Sequence, residues 1–278
     1  MGAAEASPTS AHWTLKDLQV PGDEGIGSRF TLLVPKAPRG PVPLLVALHG
    51  LGETHDERLG AYAWVERYGL GSCYDRLCEP PIERLSKKSR HWTDARLAEV
   101  NAMLKAQPFR GLAVACPYTP NIYEAKRGRK TTLDMYADWL VDEVIPRARR
   151  EVEAETKMAD RTYIDGCSLG GYVSMEVFLR KSAHFHAWGS VQGALGLHRV
   201  KGYADRLKEL AEEDGAKPLH LETSSGDPFK THHEALSRYL KENGLDHELI
   251  IPPGMHNQPF LRDSGTVEML LWHDRLPR

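Results

Sequence analysis

The run Leu44-Leu45-Val46-Ala47-Leu48 is apolar at every position. A strand with apolar residues on both faces has to be covered on both faces, and such strands are typical of parallel sheets with helices on either side. Turn residues bound further short apolar runs, at spacings that suit strands alternating with helices. We therefore predict an α/β fold with eight strands, at residues 12–20, 29–35, 43–48, 111–116, 162–165, 187–192, 218–223 and 247–251.

The first two predicted strands are joined by Pro21-Gly22-Asp23-Glu24-Gly25, a segment typical of a hairpin. The sheet is therefore expected to begin antiparallel and to continue mostly parallel. Amphipathic segments lie between the later strands, and Thr93 is placed to cap one of them. These segments predict helices on both faces of the sheet, at residues 93–106, 133–152, 169–181, 204–213 and 231–243.

Residues 53–110 separate the third and fourth predicted strands and are far longer than a usual loop. We interpret them as a cap-like insertion over one end of the sheet, within a single domain at residues 11–278 that follows a flexible N-terminal segment, 1–10. The aromatic residues of the insertion indicate either a surface for a flat or apolar substrate group or a small core. On the first interpretation Trp64, Tyr68 and Trp92 are candidate substrate contacts.

The charge balance of the chain indicates no polyanionic partner. Among 278 residues, Lys and Arg number 36 and Asp and Glu 38, a formal charge of −2, which gives no reason to expect nucleic acid or anionic lipid. No stretch approaches the roughly 20 apolar residues of a membrane helix, so no integral membrane segment is expected. Residues 1–10 lack the basic and apolar regions of a signal peptide. We expect a cytoplasmic protein, with a secreted or tethered form whose signal has been removed as the alternative.

The four cysteines are Cys73, Cys78, Cys116 and Cys167, and their spacing fits no zinc site. No His-Glu-x-x-His pattern occurs either, so the sequence predicts no metal site. Cys73 and Cys78 could form a disulfide in an oxidising compartment, but free thiols are the expectation.

The pentapeptide Gly166-Cys167-Ser168-Leu169-Gly170 matches Gly-x-Ser-x-Gly, a pattern that is weak without its context. Here it lies between a predicted strand and a predicted helix, which is the setting of a nucleophile elbow. Ser168 would then lie at a helix N-terminus, where backbone N–H groups favour developing negative charge. We predict that Ser168 is a nucleophile; a glycine-rich structural turn is the alternative.

A nucleophilic serine needs a base, because its free hydroxyl reacts poorly near neutral pH. Of 13 histidines, only His256 follows a predicted strand in a Gly-Pro loop downstream of a candidate acid. That acid is Asp227, in the turn after the seventh predicted strand. Both residues lie at carboxyl ends of strands, the edge where open α/β sheets bind ligands. We predict His256 as the base and Asp227 as its partner, with Glu222 and Asp246 as the alternative acids.

The third predicted strand ends in His49-Gly50-Leu51-Gly52-Glu53, where glycines allow the backbone to approach a substrate carbonyl. We predict that the N–H groups of Leu51 and of Leu169, the residue after the nucleophile, form an oxyanion hole. An ordinary turn is the alternative. Gly52, Asn257 and Gln258 adjoin these positions and are further candidate substrate contacts.

With these segments in place, the chain resembles the α/β-hydrolases. Among them it is most similar to an esterase family that includes esterase D (S-formylglutathione hydrolase), feruloyl esterases and enterochelin esterases. The resemblance implies that Ser168 is the nucleophile, His256 the general base and acid, and Asp227 the residue that orients it, with the oxyanion hole at Leu51 and Leu169. It covers residues 29–272 and is strongest at 48–52, 160–171, 222–229 and 254–256.

Two features depart from that pattern. Segment 53–110 matches no subfamily, and Cys167 occupies the position before the nucleophile. The sequence therefore indicates the reaction better than the substrate. We expect a serine carboxylic ester hydrolase that acts on a small-molecule ester through an acyl-enzyme and needs no cofactor. An acyltransferase on the same scaffold and a catalytically silent binding module are the alternatives, although a silent copy has no reason to keep all three residues at strand ends.

Overall fold

One eight-stranded sheet runs through the computed structural model, which describes residues 10–278. Its strands are β1 (Trp13–Gln19), β2 (Arg29–Pro35), β3 (Val42–Leu48), β4 (Ala113–Pro117), β5 (Met158–Gly166), β6 (Ala187–Val191), β7 (Leu219–Glu222) and β8 (Glu248–Ile250). They lie in the order β1-β2-β4-β3-β5-β6-β7-β8. The pairs β1–β2 and β2–β4 are antiparallel and all later pairs are parallel. The predicted mostly parallel sheet with an antiparallel start is confirmed. The expectation for the N-terminal segment 1–10 lies outside the described residues, except at Ser10.

Strand β5 begins earlier than the predicted bounds 162–165. Its first residues include the charged pair Asp160 and Arg161, which weakens the apolar pattern on which the prediction depended. The backbone still pairs there, because Val42 of β3 lies opposite Met158. Arg149 also donates a hydrogen bond to the carbonyl oxygen of Ala159 at 3.0 Å.

The described residues form ten α-helical segments: α1 (Glu57–Tyr62), α2 (Leu70–Cys78), α3 (Asp94–Ala106), α4 (Arg129–Trp139), α5 (Ile145–Glu153), α6 (Leu169–Arg180), α7 (Val200–Asp214), α8 (Lys230–Glu242), α9 (Gln258–Phe260) and α10 (Thr266–Arg275). The predicted cap of α3 is confirmed, because the Thr93 side chain accepts a hydrogen bond from the N–H of Arg96. No helix in residues 10–278 combines the length and the apolar character needed to span a bilayer.

The helix predicted at 133–152 runs without interruption through α4 and α5, with a π-helical turn at Leu140–Val144 between them. Pro146 accounts for this turn, because a proline inside a helix has no N–H to donate to the preceding turn. The predicted apolar stripe is nevertheless buried along its whole length, from Leu133 to Ile145.

Two apolar cores lie on opposite faces of the sheet. Strand β3 is buried at all seven positions, because it lies between the two cores: α4 to α8 contribute to the core on one face of the sheet, and α1, α2, α3 and α10 to the core on the other. Segment 53–110 supplies three of the helices on the second face, with α1 against β2 and α2 against α10. The segment is therefore chiefly a layer of that core.

The four cysteines of the chain are free thiols, as expected, and Cys73 and Cys78 form no disulfide. The Cys73 thiol is fully buried and donates a hydrogen bond to the carbonyl oxygen of Arg262 at 3.2 Å. Burial raises the pKa of Cys73 to about 12. This thiol is therefore protonated at neutral pH.

Candidate active site

Ser168 lies in the sharp turn between β5 and α6, in the predicted position. Its φ of 53° is in the left-handed region, which costs a non-glycine residue about 1–3 kcal/mol. The flanking glycines make this turn sterically feasible. A Cβ on Gly166 would lie 2.3 Å from the carbonyl oxygen of Gly170, and a Cβ on Gly170 would lie 2.3 Å from that of Leu48. No larger residue fits at either position, so the turn requires both glycines.

Three side chains from distant parts of the sequence form one hydrogen-bonded chain. The His256 Nε2 atom lies 3.0 Å from the Ser168 Oγ atom, and the His256 Nδ1 atom lies 3.0 Å from the Asp227 Oδ1 atom. An ionised carboxylate only accepts hydrogen bonds, so Nδ1 of a neutral imidazole carries the proton and Nε2 is left as an acceptor for the serine hydroxyl. The imidazole is thus oriented to take the proton of Ser168.

The environment of Asp227 keeps its carboxylate ionised. Burial alone would raise its pKa, but hydrogen bonds from His256, from the Phe229 N–H and from the Thr223 hydroxyl outweigh burial and lower the pKa of Asp227. The Phe229 N–H donates to Oδ1 at 2.9 Å and the Thr223 hydroxyl to Oδ2 at 2.7 Å. The Phe229 ring also packs edge-on against the imidazole of His256.

The alternative acids lie elsewhere. Glu222 is fully buried, neither of its carboxylate oxygens has a hydrogen-bond partner, and burial raises its pKa well above the ordinary value. Asp246 is exposed, after the end of α8. The structure therefore pairs His256 with Asp227.

Leu51 and Leu169 are each the first residue of a helical segment, Leu51 of a short 3₁₀ turn (Leu51–Glu53) and Leu169 of α6. The first N–H groups of a helix have no acceptor within the helix. Within residues 10–278 neither N–H donates to another protein group. Both are thus available to an external oxygen.

A cavity of about 210 Å³ opens beside Ser168 and His256. Four of the predicted substrate contacts, Gly52, Tyr68, Asn257 and Gln258, line it. The residues around it are Gly50, Leu51, Gly52, Glu53, Tyr68, Cys167, Ser168, Gln192, His256, Asn257, Gln258 and Leu261.

Two predicted contacts, Trp64 and Trp92, do not reach this cavity. Trp64 is fully buried and packs edge-on against Tyr68, with ring centroids 5.2 Å apart. Trp92 is also buried and donates a hydrogen bond from Nε1 to the carbonyl oxygen of Asp263. Both belong to the core under segment 53–110, so the expectation that they contact substrate is corrected.

Two polar residues of the cavity, Glu53 and Gln192, are not among the predicted substrate contacts. Glu53 is only 3% exposed although it is charged, and Gln192 is 2% exposed with a φ of 52°. Gln192 directly follows β6, at the carboxyl edge of the sheet, and that position was the only available signal. Among residues 10–278, no group of three or more His, Cys, Asp or Glu side chains is arranged to hold a metal ion.

No protein-family model and no curated protein matches the sequence. Solved structures do match in fold. A ferulic acid esterase is 15% identical, with a TM-score of 0.65 over 95% of this chain and 99% of its own. An S-formylglutathione hydrolase from Staphylococcus aureus is 14% identical, with a TM-score of 0.57 over 97% of this chain and 99% of its own. A feruloyl esterase module from Clostridium thermocellum, solved with sinapinate, is 12% identical, with a TM-score of 0.60 over 99% of this chain and 94% of its own. Together with the strand order and the elbow, these similarities establish that the chain has the α/β-hydrolase fold.

Proposed function

We propose that this protein is a serine carboxylic ester hydrolase that acts through an acyl-enzyme. The observation that carries the proposal is the continuous hydrogen-bonded chain from Ser168 through His256 to Asp227. The three residues come from separate loops at one edge of the sheet, and a nucleophile, a base and an orienting acid in this order are what acyl transfer requires. The esterases among the structural neighbours support the same assignment.

In the first half-reaction, Ser168 Oγ attacks the ester carbonyl carbon while its proton passes to His256 Nε2. The carbonyl π electrons move to oxygen, and the N–H groups of Leu51 and Leu169 stabilise the resulting oxyanion. Asp227 stabilises the imidazolium through its bond to Nδ1. When the tetrahedral adduct collapses, the C–O bond to the alcohol breaks and His256 returns the proton to the leaving oxygen.

In the second half-reaction, water takes the place of the alcohol. His256 Nε2 removes a proton from the water as its oxygen attacks the acyl carbon, and the same two N–H groups stabilise the second oxyanion. Collapse breaks the bond to Ser168 Oγ, which recovers its proton from His256. Carboxylic acid is released, and residues of this chain carry every proton transfer.

The cavity favours a small ester with hydrogen-bonding groups near the carbonyl. Its polar lining includes Asn257 and Gln258, and Tyr68 is the only Phe, Trp or Tyr side chain among its lining residues. Trp64 and Trp92, the candidate contacts for a flat or apolar substrate group, lie in the core and not in this lining. We therefore propose short or single-ring acyl groups as the substrates.

The test combines a fluorophosphonate probe with a panel of p-nitrophenyl esters of increasing acyl length, run beside feruloyl and acetyl-sugar esters. The wild type is expected to be labelled and to prefer the shorter acyl groups. Ser168→Ala is expected to lose labelling and to lower kcat by about 10⁵-fold or more, since members of a triad act as a unit.

Two results would overturn the proposal. Absence of both labelling and ester turnover in the folded wild type would indicate a silent binding module. Normal turnover in Ser168→Ala would remove the serine from the mechanism. Product analysis with added alcohols separates the acyltransferase alternative, which would form new esters in place of the free acid.

A further inference from the structure

We propose that Tyr68, which segment 53–110 supplies, is a positioning residue for the oxyanion hole. This inference rests on the proposed esterase function and assigns a role to the segment within it. Tyr68 acts through the N–H of Gly50, the residue before Leu51, and the N–H of Leu51 is one of the two proposed oxyanion donors.

The backbone of Gly50 is held by a side chain at each of its polar atoms. Its N–H donates a hydrogen bond to Tyr68 Oη at 3.2 Å, and its carbonyl oxygen accepts one from His49 Nδ1 at 2.8 Å. The carbonyl of Gly50 and the N–H of Leu51 belong to the same planar trans peptide and point in opposite directions. Fixing Gly50 therefore fixes the direction in which Leu51 donates.

The tautomer of His49 follows from its second contact. The N–H of Thr119 donates to His49 Nε2 at 2.8 Å, so Nδ1 carries the proton and donates to Gly50. Burial lowers the pKa of His49 to about 4, which keeps the ring neutral. The hydrogen bond from His49 to the Gly50 carbonyl oxygen is therefore the same at every pH at which the enzyme would work.

On the other side, the Tyr68 hydroxyl accepts from Gly50, so its own proton is free to bond elsewhere. It donates to Glu53 Oε2 at 2.5 Å. Glu53 is nearly fully buried, and its second oxygen accepts from Arg67 at 3.3 Å. Glu53 ends the turn that Leu51 begins. The Tyr68 hydroxyl thus connects Gly50, just before the 3₁₀ turn Leu51–Glu53, with Glu53 at the end of that turn. We call this turn the oxyanion turn.

The ring of Tyr68 cannot shift without disturbing its surroundings. The ring packs edge-on against the buried Trp64. The backbone carbonyl oxygen of Tyr68 accepts a hydrogen bond from the Thr266 hydroxyl at 2.8 Å. Gly50 also lies against Ser168. A Cβ on Gly50 would lie 3.1 Å from Tyr68 Oη and 3.5 Å from the Ser168 Cβ atom. The Tyr68 hydroxyl, the oxyanion turn and Ser168 therefore lie next to one another, in that order.

The decisive variant is Tyr68→Phe, which removes the hydroxyl and keeps the packing. We expect kcat to fall by about 10-fold or more, approaching the 10²–10³-fold loss seen when a whole oxyanion donor is removed, with KM changed by less than about 2-fold. Affinity for an aryl trifluoromethyl ketone, which forms a hemiketal oxyanion on Ser168, should fall in proportion to kcat/KM. Affinity for the carboxylate product should not.

Tyr74 of the same segment provides a matched control. Its buried hydroxyl also makes two backbone hydrogen bonds, from the N–H of Leu112 and to its carbonyl oxygen, but it lies outside the cavity. Tyr74→Phe is expected to lower thermal stability by a similar amount and to leave kcat unchanged. At Glu53, the conservative Glu53→Gln keeps an acceptor for the tyrosine and should lose less activity than Glu53→Leu.

Several results would overturn the inference. Unchanged kcat and ketone affinity in Tyr68→Phe would show that the hydroxyl positions nothing. A raised KM at constant kcat would show that it contacts substrate directly, and an equal kcat loss in Tyr74→Phe would reduce its role to stability. If Tyr68→Phe does not fold, equal activity of Glu53→Gln and Glu53→Leu is the opposing result. Failure of the wild type to hydrolyse any ester would instead refute the proposed function.

Discussion

The side-chain amide of Gln192 donates a hydrogen bond to the carbonyl oxygen of Met255 at 3.1 Å. Its second amide hydrogen bonds Ser224 Oγ at 2.7 Å. Met255 directly precedes His256, and Ser224 lies in the turn that carries Asp227. One buried side chain at the end of β6 therefore connects the loop of the proposed base with the loop of its acid.

Replacing Gln192 by Ala is expected to loosen both loops. The buried Ser224 hydroxyl and the carbonyl oxygen of Met255 lose their donor, so the free energy of unfolding should fall by about 1–3 kcal/mol. A freer His256 should lower kcat about 10-fold. Urea unfolding and p-nitrophenyl acetate kinetics measure the two effects. Gln107→Ala, at the exposed end of α3, is the control, and equal effects in both variants would show that the bridge is unimportant.

The orientation of the imidazole can be tested at Asp227. In Asp227→Asn the amide no longer favours a proton on Nδ1, so Nε2 is not available as the base, and kcat should fall by about 10⁴-fold. The exposed Asp246, one of the alternative acids, offers the matching Asp246→Asn, which should retain wild-type turnover. A large loss in Asp246→Asn with little in Asp227→Asn would reassign the acid.

The contact of Gly170 with the Leu48 carbonyl predicts a folding defect. A Cβ at 2.3 Å from that oxygen forces β3 and α6 apart, so Gly170→Ala should cost about 3 kcal/mol or more, in the range of overpacked sites. Gly202 in α7 has open space around its Cα, and Gly202→Ala should stabilise by about 0.4–1 kcal/mol. Denaturant midpoints of the two variants that shift in the same direction would contradict this argument.

Glu222 predicts a pH dependence of stability. Burial first, and then the nearby carboxylates of Glu268 and Asp165, raise its pKa well above the ordinary value. As pH rises above about 4.3, the unfolded chain releases this proton and the folded chain keeps it. The folded state therefore loses stability with rising pH, by up to about 1.4 kcal/mol per pH unit while only the unfolded form is ionised.

Glu222→Gln removes this titration. Its free energy of unfolding should match that of the wild type near pH 4 and exceed it by a margin that grows towards pH 8. Urea titrations across this range measure the margin. Glu212→Gln, at an exposed position of α7, is the control. A constant difference between wild type and Glu222→Gln would show that Glu222 is ionised in the folded state.

Local patterns predicted the sheet and the placement of Ser168, His256 and Asp227, because strand ends in a parallel sheet meet at one edge. The same patterns failed for Trp64 and Trp92, since irregularly spaced aromatics give no sign of which way they point. Nor does any local pattern reveal that Tyr68 bonds Gly50, or that Gln192 bonds Met255. Those contacts join segments that only the folded chain brings together, and the roles of the residues stay predictions until the variants are measured.

Helices α1 to α3 cover a face of the sheet, and this has a consequence for how such a protein can be altered. A lid hinged over an entrance can be shortened or exchanged without harm to the body beneath it. Here excision of segment 53–110 would expose apolar residues of the strands to solvent and promote aggregation. If the proposed function holds, new substrate preferences would have to be obtained by point changes among the residues that line the cavity, such as Leu51, Asn257 and Gln258.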